Sequence, residues 1–209
     1  MRVAVISNAE QKEEILMKQT NKDVEIIFIK DIPEMEMDES FEILFFLGEI
    51  PRDFNRKIFL WKHIFINSVT GTLEQNEFPH NCTRINGWPG FLRRPVWEVA
   101  SHDKKITSQI FEKIGWPVIF VKDEPGLVAA RVIGMIINEA FFALEDGVST
   151  EEEMDLAMEL GTNYPFGPFE WARKIGIRNI YHLLKTLSEK DKRYDIAPLL
   201  SRKYLELSA

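Results

Sequence analysis

The sequence contains very little cysteine and histidine. Cys82 is the single cysteine among 209 residues, and histidine occurs four times. An internal disulfide needs two cysteines, and a structural zinc site usually needs four cysteine or histidine ligands. We therefore predict neither a disulfide nor a metal site, and we interpret Cys82 as a small hydrophobe or a free surface thiol rather than a nucleophile.

Long apolar runs and concentrations of positive charge are also missing. No apolar segment approaches the ~20 residues that a membrane-spanning helix requires, and the first residues lack the architecture of a signal peptide. The formal net charge is -7, without a run of Lys or Arg, whereas nucleic-acid-binding surfaces are usually basic. These absences predict a cytoplasmic protein that binds neither membranes nor nucleic acids.

The first 122 residues alternate short apolar segments with amphipathic ones. The apolar segments are Val3–Ile6, Val24–Ile29, Ile43–Leu47, His63–Asn67 and Pro117–Val121. Continuous apolar runs of this length are typical of strands buried on both faces of a parallel sheet. Glu10–Gln19 and Ile106–Ile114 have helical patterns between them. Alternating strands and helices predict an α/β domain over residues 1–122.

After Pro125 the apolar residues recur at helical spacing. One stripe of the first helix consists of Ile133, Ile137, Ala140 and Leu144. Thr150-Glu-Glu-Glu153 is a capping box that begins a second helix. Further helices are predicted around Ile180–Leu187 and from Pro198, which suits the first turn of a helix. We therefore predict an all-α domain over residues 123–209.

This helical part also carries a series of short motifs. They are Asp123-Glu-Pro-Gly-Leu-Val-Ala-Ala-Arg131, Asn138-Glu139-Ala140, Gly161-Thr-Asn-Tyr-Pro-Phe-Gly-Pro168, Arg193-Tyr194 and Pro198-Leu199-Leu200. In this order and spacing they resemble the C-terminal helical domain of the 3-hydroxyacyl-CoA dehydrogenases. The resemblance implies a Rossmann-like parallel sheet ahead of the helical domain, so the expected fold class is α/β plus all-α.

The resemblance also implies an NAD site that begins with three glycines after the first strand. Glycines let the chain turn tightly and approach the pyrophosphate at a helix N-terminus. The matching positions here are Ser7, Ala9 and Lys12. A β-carbon at Ala9 would occupy the space of a phosphate, and Glu10 places negative charge where the anion would bind. We expect no cofactor, with charge compensation by Lys12 as the alternative.

The segment between Asp31 and the strand at Ile43 is short for this family. Members carry a helix and a helical hairpin here, and the hairpin helps to hold coenzyme A. The segment offers room for about one turn or a loop, so the Rossmann-like domain is expected to be truncated. Asp31 could stand where the family has its ribose-binding acid, or it could be a solvated turn residue.

The catalytic pair that the resemblance implies is a general-base His oriented by a Glu. The stretch Ile85–Val99 is similar to the family's Gly-x-His-Phe-x-Asn-Pro…Val-Glu-Val segment, with a small deletion. Glu98 falls on the carboxylate and Pro89 falls on the histidine, with one or two residues of freedom in the alignment. Proline cannot exchange a proton, so we expect the general base to be missing.

Other family positions have changed as well. The substrate-contacting Asn is Ala130 here, and the substrate-contacting Ser is Thr70, which retains a hydroxyl group. The Asp that follows Phe-Glu-Leu in the family is Arg173. Glu98 and Thr70 are therefore the remnant catalytic positions, and a replacement base at His80 is the alternative to an exposed loop histidine.

Three functions are compatible with these residues. The first is a diverged, non-catalytic family member that acts as a dimeric binding or regulatory module, with a small acyl ligand in the cleft between its domains. The second is an active NAD-dependent 3-hydroxyacyl-CoA dehydrogenase of fatty-acid metabolism that uses a non-standard base. The third is other chemistry on a small acyl compound around Glu98 and Thr70. The residues favour the first.

The apolar pattern of the helix predicted between Pro125 and Asp146 indicates a dimer. Its apolar residues exceed one face and include Ile133, Ile136, Ile137, Phe141 and Phe142. A small helical domain offers too little surface to cover such a helix completely, and in the related dehydrogenases this domain forms the dimer. We therefore predict a homodimer through the helical domain, with coverage by the α/β domain as the alternative.

Overall fold

The chain forms two compact units. The computed structural model describes residues 1–29, 41–48 and 61–207. The units comprise residues 1–127 and 128–209. The predicted domain boundary, between residues 122 and 123, and the division between the units both lie in the segment that connects the last strand to the first long helix.

A single sheet organises the first unit. Among the described residues it has seven strands: β1 Arg2–Ile6, β2 Glu25–Ile29, β3 Ile43–Phe46, β4 His63–Asn67, β5 Cys82–Ile85, β6 Trp97–Ser101 and β7 Val118–Phe120. Their order is β2-β1-β3-β4-β5-β6-β7. All neighbouring pairs are parallel except β5 and β6, which are antiparallel. The predicted Rossmann-like α/β class is confirmed.

Apolar side chains cover both faces of the sheet. Helices α1 (Ala9–Leu16) and α2 (Lys104–Ile114) pack on one face. The core there contains a cluster of aromatic rings: Phe45, Phe65, Trp97, Phe111 and Trp116. Rings of this size dominate the apolar area that a core removes from water. The other face packs against residues that precede and follow β4, including Trp61 and Leu73.

Strands β5 and β6 were not predicted, because each carries a buried polar residue that interrupts the apolar pattern. Arg84 lies in β5 and is fully buried, and Glu98 lies in β6 with 9% of its surface exposed. The antiparallel register pairs Ile85 with Val99. If the register is continued by one residue, Asn86, which follows β5, lies opposite Glu98, which precedes Val99 in β6.

The second unit is helical, as predicted. Its elements are α3 Ala129–Glu145, α4 Glu151–Thr162, α5 Pro168–Ile175, α6 Ile177–Ser188, a 3-10 helix Lys192–Tyr194 and α7 Pro198–Glu206. The capping box predicted at Thr150 is present, since Thr150 and Glu153 exchange hydrogen bonds. No helix in the part of the chain that the structure describes is long and apolar enough to cross a membrane.

Asn138 and Arg173, two positions compared with the family above, have structural roles in this unit. Asn138 is buried in α3, and its side chain donates to the Asp195 carbonyl and accepts from the Ala197 N–H, each at 2.9 Å. Asp155 of α4 accepts from the backbone N–H of Phe169 at 2.7 Å and so caps α5. Arg173, where the family has an Asp, donates to the same carboxylate at 3.0 Å.

Candidate functional site

The carboxyl ends of β1, β3, β4 and β5 lie at the same edge of the sheet, because these strands are mutually parallel. The chain leaves β1 toward β2 on one side, and β3 lies on the other side. In open α/β sheets, ligands bind at such a reversal of strand order, outside the carboxyl ends. The region where β1 meets α1 is therefore the expected ligand site of this sheet.

The turn from β1 into α1 is closed by its own side chains. Asn8 Oδ1 accepts from the Gln11 N–H at 2.8 Å, and Gln11 Oε1 accepts from the Asn8 N–H at 3.0 Å. These two bonds satisfy donors that a bound phosphate would otherwise use. Lys12 lies over the ring of Phe28 in β2, with Nζ 4.9 Å from the ring centroid. Its charge therefore faces β2.

Gln11 fills the space outside the carboxyl ends of the strands. Its side chain is 2% exposed. The Nε2 amide donates to the carbonyl of Leu47, directly after β3, at 2.8 Å and to the carbonyl of Gly87, after β5, at 2.7 Å. One amide group thus joins α1 to the ends of two strands.

Asn67, at the end of β4, completes this network. Its Nδ2 donates to the Leu47 carbonyl at 3.0 Å, and its Oδ1 accepts from the Gly87 N–H at 3.0 Å. A β-carbon at residue 87 would lie 2.8 Å from Asn67 Cγ, so this approach requires glycine. We call Gln11, Leu47, Asn67 and Gly87 the crevice network.

Two more side chains, Glu14 of α1 and Lys18 just after its end, bind the loop of residues 86–96, between β5 and β6. The buried Glu14 carboxylate accepts from the N–H of Gly90 and, at 3.0 Å, from that of Arg93. Lys18 Nζ donates to the Arg94 carbonyl at 2.7 Å, and burial lowers its pKa. Gln11 and Glu14 lie three positions apart on one face of α1, and Lys18 follows the end of the helix. These three side chains therefore form hydrogen bonds with the backbone of the chain itself.

The carboxylate of Glu98 faces Asn86. Asn86 Nδ2 donates to Glu98 Oε1 at 3.4 Å, and Asn86 Oδ1 accepts from the Trp88 N–H at 3.3 Å. Both side chains are buried. Pro89 lies three positions further along the 86–96 loop. If Glu98 occupies the carboxylate position of the catalytic pair, the geometry favours Asn86 rather than Pro89 as the residue at the histidine position.

Thr70 lies in the loop after β4, which an ion pair between the buried Arg84 and the partly exposed Asp123 holds in place. The Arg84 guanidinium donates to the Ser68 carbonyl at 2.7 Å and forms a salt bridge with Asp123. Asp123 also accepts from the Leu73 N–H at 2.8 Å. Within the described residues, no hydrogen bond joins Thr70 to Glu98.

The other candidates lie in different elements of the chain. Ala130 is fully buried in α3 of the second unit. His80 is exposed and precedes β5, whereas Asn86 follows it. A four-residue strand, about 13 Å, lies between these ends, so His80 is at the opposite edge of the sheet from Glu98. Asp31 lies outside the described residues.

The second unit contains an apolar groove of about 720 Å³ between α3 and α4. Its lining includes Val132, Met135, Ile136, Met154 and Met158. Val132 is 49% exposed, whereas Ile133, Ile137 and Phe141 on the other side of α3 are buried within the protein. The groove leaves part of the α3 surface uncovered by described residues.

Sequence comparison supports the resemblance of the helical unit. Residues 126–208 match the family described as 3-hydroxyacyl-CoA dehydrogenase, C-terminal domain. The chain is 41% identical over 93 residues to the 3-hydroxyadipyl-CoA dehydrogenase of Escherichia coli, covering 44% of this chain and 20% of that protein. It is 38% identical over 97 residues to the probable 3-hydroxybutyryl-CoA dehydrogenase of Bacillus subtilis, covering 46% and 33%. The chain therefore spans less than half the length of these relatives.

Solved structures share the fold. The (S)-3-hydroxybutyryl-CoA dehydrogenase of Ralstonia eutropha superposes with a TM-score of 0.67 at 19% identity, over 96% of this chain and 92% of that one. The 3-hydroxybutyryl-CoA dehydrogenase of Escherichia coli gives a TM-score of 0.57 at 29% identity, over 69% of this chain and 32% of that one.

Proposed function

Because the chain belongs to the 3-hydroxyacyl-CoA dehydrogenase family through its C-terminal domain, we propose that it is a diverged member without NAD-dependent dehydrogenase activity. We propose that it acts as a dimeric binding or regulatory module. The observation that carries this proposal is the crevice network, which occupies the place where a Rossmann-like sheet binds its dinucleotide.

Opening this crevice would break several buried hydrogen bonds. The Gln11 amide would leave the carbonyls of Leu47 and Gly87, and Asn67 would lose its contact with Gly87. A buried polar group left without a partner costs about 1–3 kcal/mol. A dinucleotide would have to repay this cost without the three glycines that bring the backbone close to its phosphates.

The pair of Asn86 and Glu98 supports the same proposal. A carboxamide carries no basic nitrogen, so Asn86 cannot take a proton from a hydroxyl group as an imidazole can. Glu98 would then orient a side chain that performs no proton transfer. Loss of a general base alone typically lowers the rate by a factor of ~10²–10⁴.

The dimeric part of the proposal rests on the groove between α3 and α4. Most of its lining surface is apolar and includes three methionines, Met135, Met154 and Met158, and charged side chains also border it. Exposed apolar patches of this kind mark interaction surfaces in soluble proteins. We propose a second copy of this chain as the occupant, because the groove belongs to the domain that resembles a dimer-forming one.

A turnover assay with NAD and 3-hydroxybutyryl-CoA tests the proposal, with the Ralstonia eutropha enzyme as a positive control. We expect no turnover above the uncatalysed rate. The variants Asn86→His and Pro89→His place an imidazole at the two candidate base positions. Neither should restore activity, because the cofactor crevice stays filled. Turnover in Asn86→His alone would contradict the proposed loss of the cofactor site and would identify residue 86 as the base position.

The second candidate is an active dehydrogenase. It is favoured by the similarity to a 3-hydroxyadipyl-CoA dehydrogenase and a probable 3-hydroxybutyryl-CoA dehydrogenase. Wild-type turnover that disappears in His80→Ala would support this candidate and identify the replacement base. A thermal-shift series with NADH, coenzyme A and acetoacetyl-CoA then separates binding from catalysis. A ligand present at a hundred times its dissociation constant adds ~2.7 kcal/mol of stability.

A further inference from the structure

Two histidine rings lie side by side at the amino edge of the sheet. The centroids of the His80 and His102 rings are 4.7 Å apart, with 57° between the ring planes. His80 precedes β5 and His102 follows β6. Because β5 and β6 are antiparallel, these two ends meet at one edge, where Thr83 is paired with Ser101.

The backbone holds both residues in place. The Cys82 N–H donates to the Pro79 carbonyl at 2.9 Å, which closes a turn around His80. The next side chain, Asn81, donates to the Trp61 carbonyl at 2.6 Å. The Asp103 N–H donates to Ser101 Oγ at 3.2 Å and fixes the turn that contains His102. The two rings are therefore brought together by the folded sheet itself.

Both imidazoles are accessible and available as ligands. His80 and His102 are exposed, and within residues 1–29, 41–48 and 61–207 neither ring makes a hydrogen bond. They line a cavity of about 670 Å³ that also contains His63. Burial and the neighbouring Lys62 charge lower the pKa of His63, which favours its neutral form. Lys62 itself is paired with Glu42 at 2.8 Å.

We propose that His80 and His102 together chelate a divalent transition-metal ion. Neutral imidazole suits copper, nickel and zinc, with metal–nitrogen distances near 2.0–2.1 Å for zinc. Two imidazoles on one ion have ring centroids roughly 5 Å apart at that bond length, close to the observed 4.7 Å. Water or a small ligand in the cavity completes the coordination.

This site differs from the zinc sites that the sequence excludes. The described part of the chain contains no group of three His, Cys, Asp or Glu side chains that could hold a metal ion. A two-imidazole chelate is weaker and leaves most coordination positions open. Its affinity is expected to follow the general order for divalent metal ions, in which copper is bound more tightly than nickel or zinc.

Isothermal titration calorimetry with copper, nickel and zinc salts tests the proposal, using tag-free protein in a non-coordinating buffer. We expect one ion per chain and an affinity that falls on the order of 10²-fold in His80→Ala and in His102→Ala, because each variant leaves a single ligand. His182→Ala removes an imidazole from α6 in the other unit and should leave the affinity unchanged.

Binding that is absent, or that is unaffected by both single variants, would overturn the proposal. Equal weakening in His182→Ala would do the same. Electron paramagnetic resonance of the copper-loaded wild-type protein does not depend on the folding of any variant. Hyperfine structure from two imidazole nitrogens supports the chelate, and a spectrum without imidazole nitrogen contradicts it.

Discussion

The side-chain amide of Gln11 donates to the carbonyl of Gly87 at 2.7 Å, although the two residues are 76 positions apart. This bond joins the first helix to the loop that carries Asn86. The family's glycine positions lie at the start of this helix, and the two candidate positions of its catalytic base lie in this loop. The same contact therefore connects the two functions that this chain is proposed to have lost, which are NAD binding and general-base catalysis.

Gln11→Ala should destabilise the protein by about 1–3 kcal/mol, because it leaves the buried Gly87 carbonyl without its Gln11 donor. Urea unfolding measures the change in the free energy of unfolding. Glu13→Ala, at an exposed position of the same helix, is the matched control and should stay within about ±0.5 kcal/mol. Equal effects in the two variants would show that the Gln11 contacts do not stabilise the fold.

Gly87→Ala should also be destabilising, by about 1–3 kcal/mol, because the added β-carbon would meet Asn67 Cγ at 2.8 Å and overpack the crevice network. Gly161→Ala should have the opposite sign. Gly161 lies in α4 with open space around its α-carbon, and alanine in a helix is favoured over glycine by about 0.5–1 kcal/mol. Thermal unfolding of both variants compares the two signs directly.

Cys82 should not react with thiol reagents in the native protein. Burial raises its pKa to about 12, so the thiolate is scarce at pH 8 and the sulfur is also shielded. A raised pKa means that stability is fully present below the unfolded value near 9 and declines as the pH rises toward 12. Labelling with an aromatic disulfide at pH 8 should require denaturant. Rapid labelling of the folded chain would contradict this burial.

The proposed homodimer predicts a mass of twice 24.4 kDa in light scattering at micromolar concentration. Ile136→Asp places a charge in the groove between α3 and α4 and should give a monomer. Leu205→Asp changes an exposed apolar residue of α7 outside the groove and should leave the dimer intact. A wild-type monomer would contradict the dimer and favour coverage of the helix by the chain itself.

Much of the fold could be predicted from the sequence. Strands such as β1 and β4 are continuous apolar runs, and their pattern is local. Strands β5 and β6 were missed because Arg84 and Glu98 interrupt that pattern. Their burial depends on Asp123 and Asn86, which approach them only in the folded chain. A local pattern cannot predict partners of this kind.

The candidate site was less predictable than the fold. The family's glycine pattern identifies Ser7, Ala9 and Lys12 as the positions to compare. The residue that fills the crevice is Gln11, between Ala9 and Lys12. Glutamine on a helix is usually exposed, and its acceptors lie 36 and 76 positions away. Asn86 was missed for a related reason, since its position opposite Glu98 follows from the register of two strands that were not predicted.

Calorimetric titration of the wild-type protein with NAD tests most directly whether the crevice network has replaced the dinucleotide. If it has, no heat of binding is expected at millimolar NAD for the wild-type chain or for Lys12→Ala. A saturable isotherm with one NAD per chain would contradict it, most clearly if Lys12→Ala abolishes the binding.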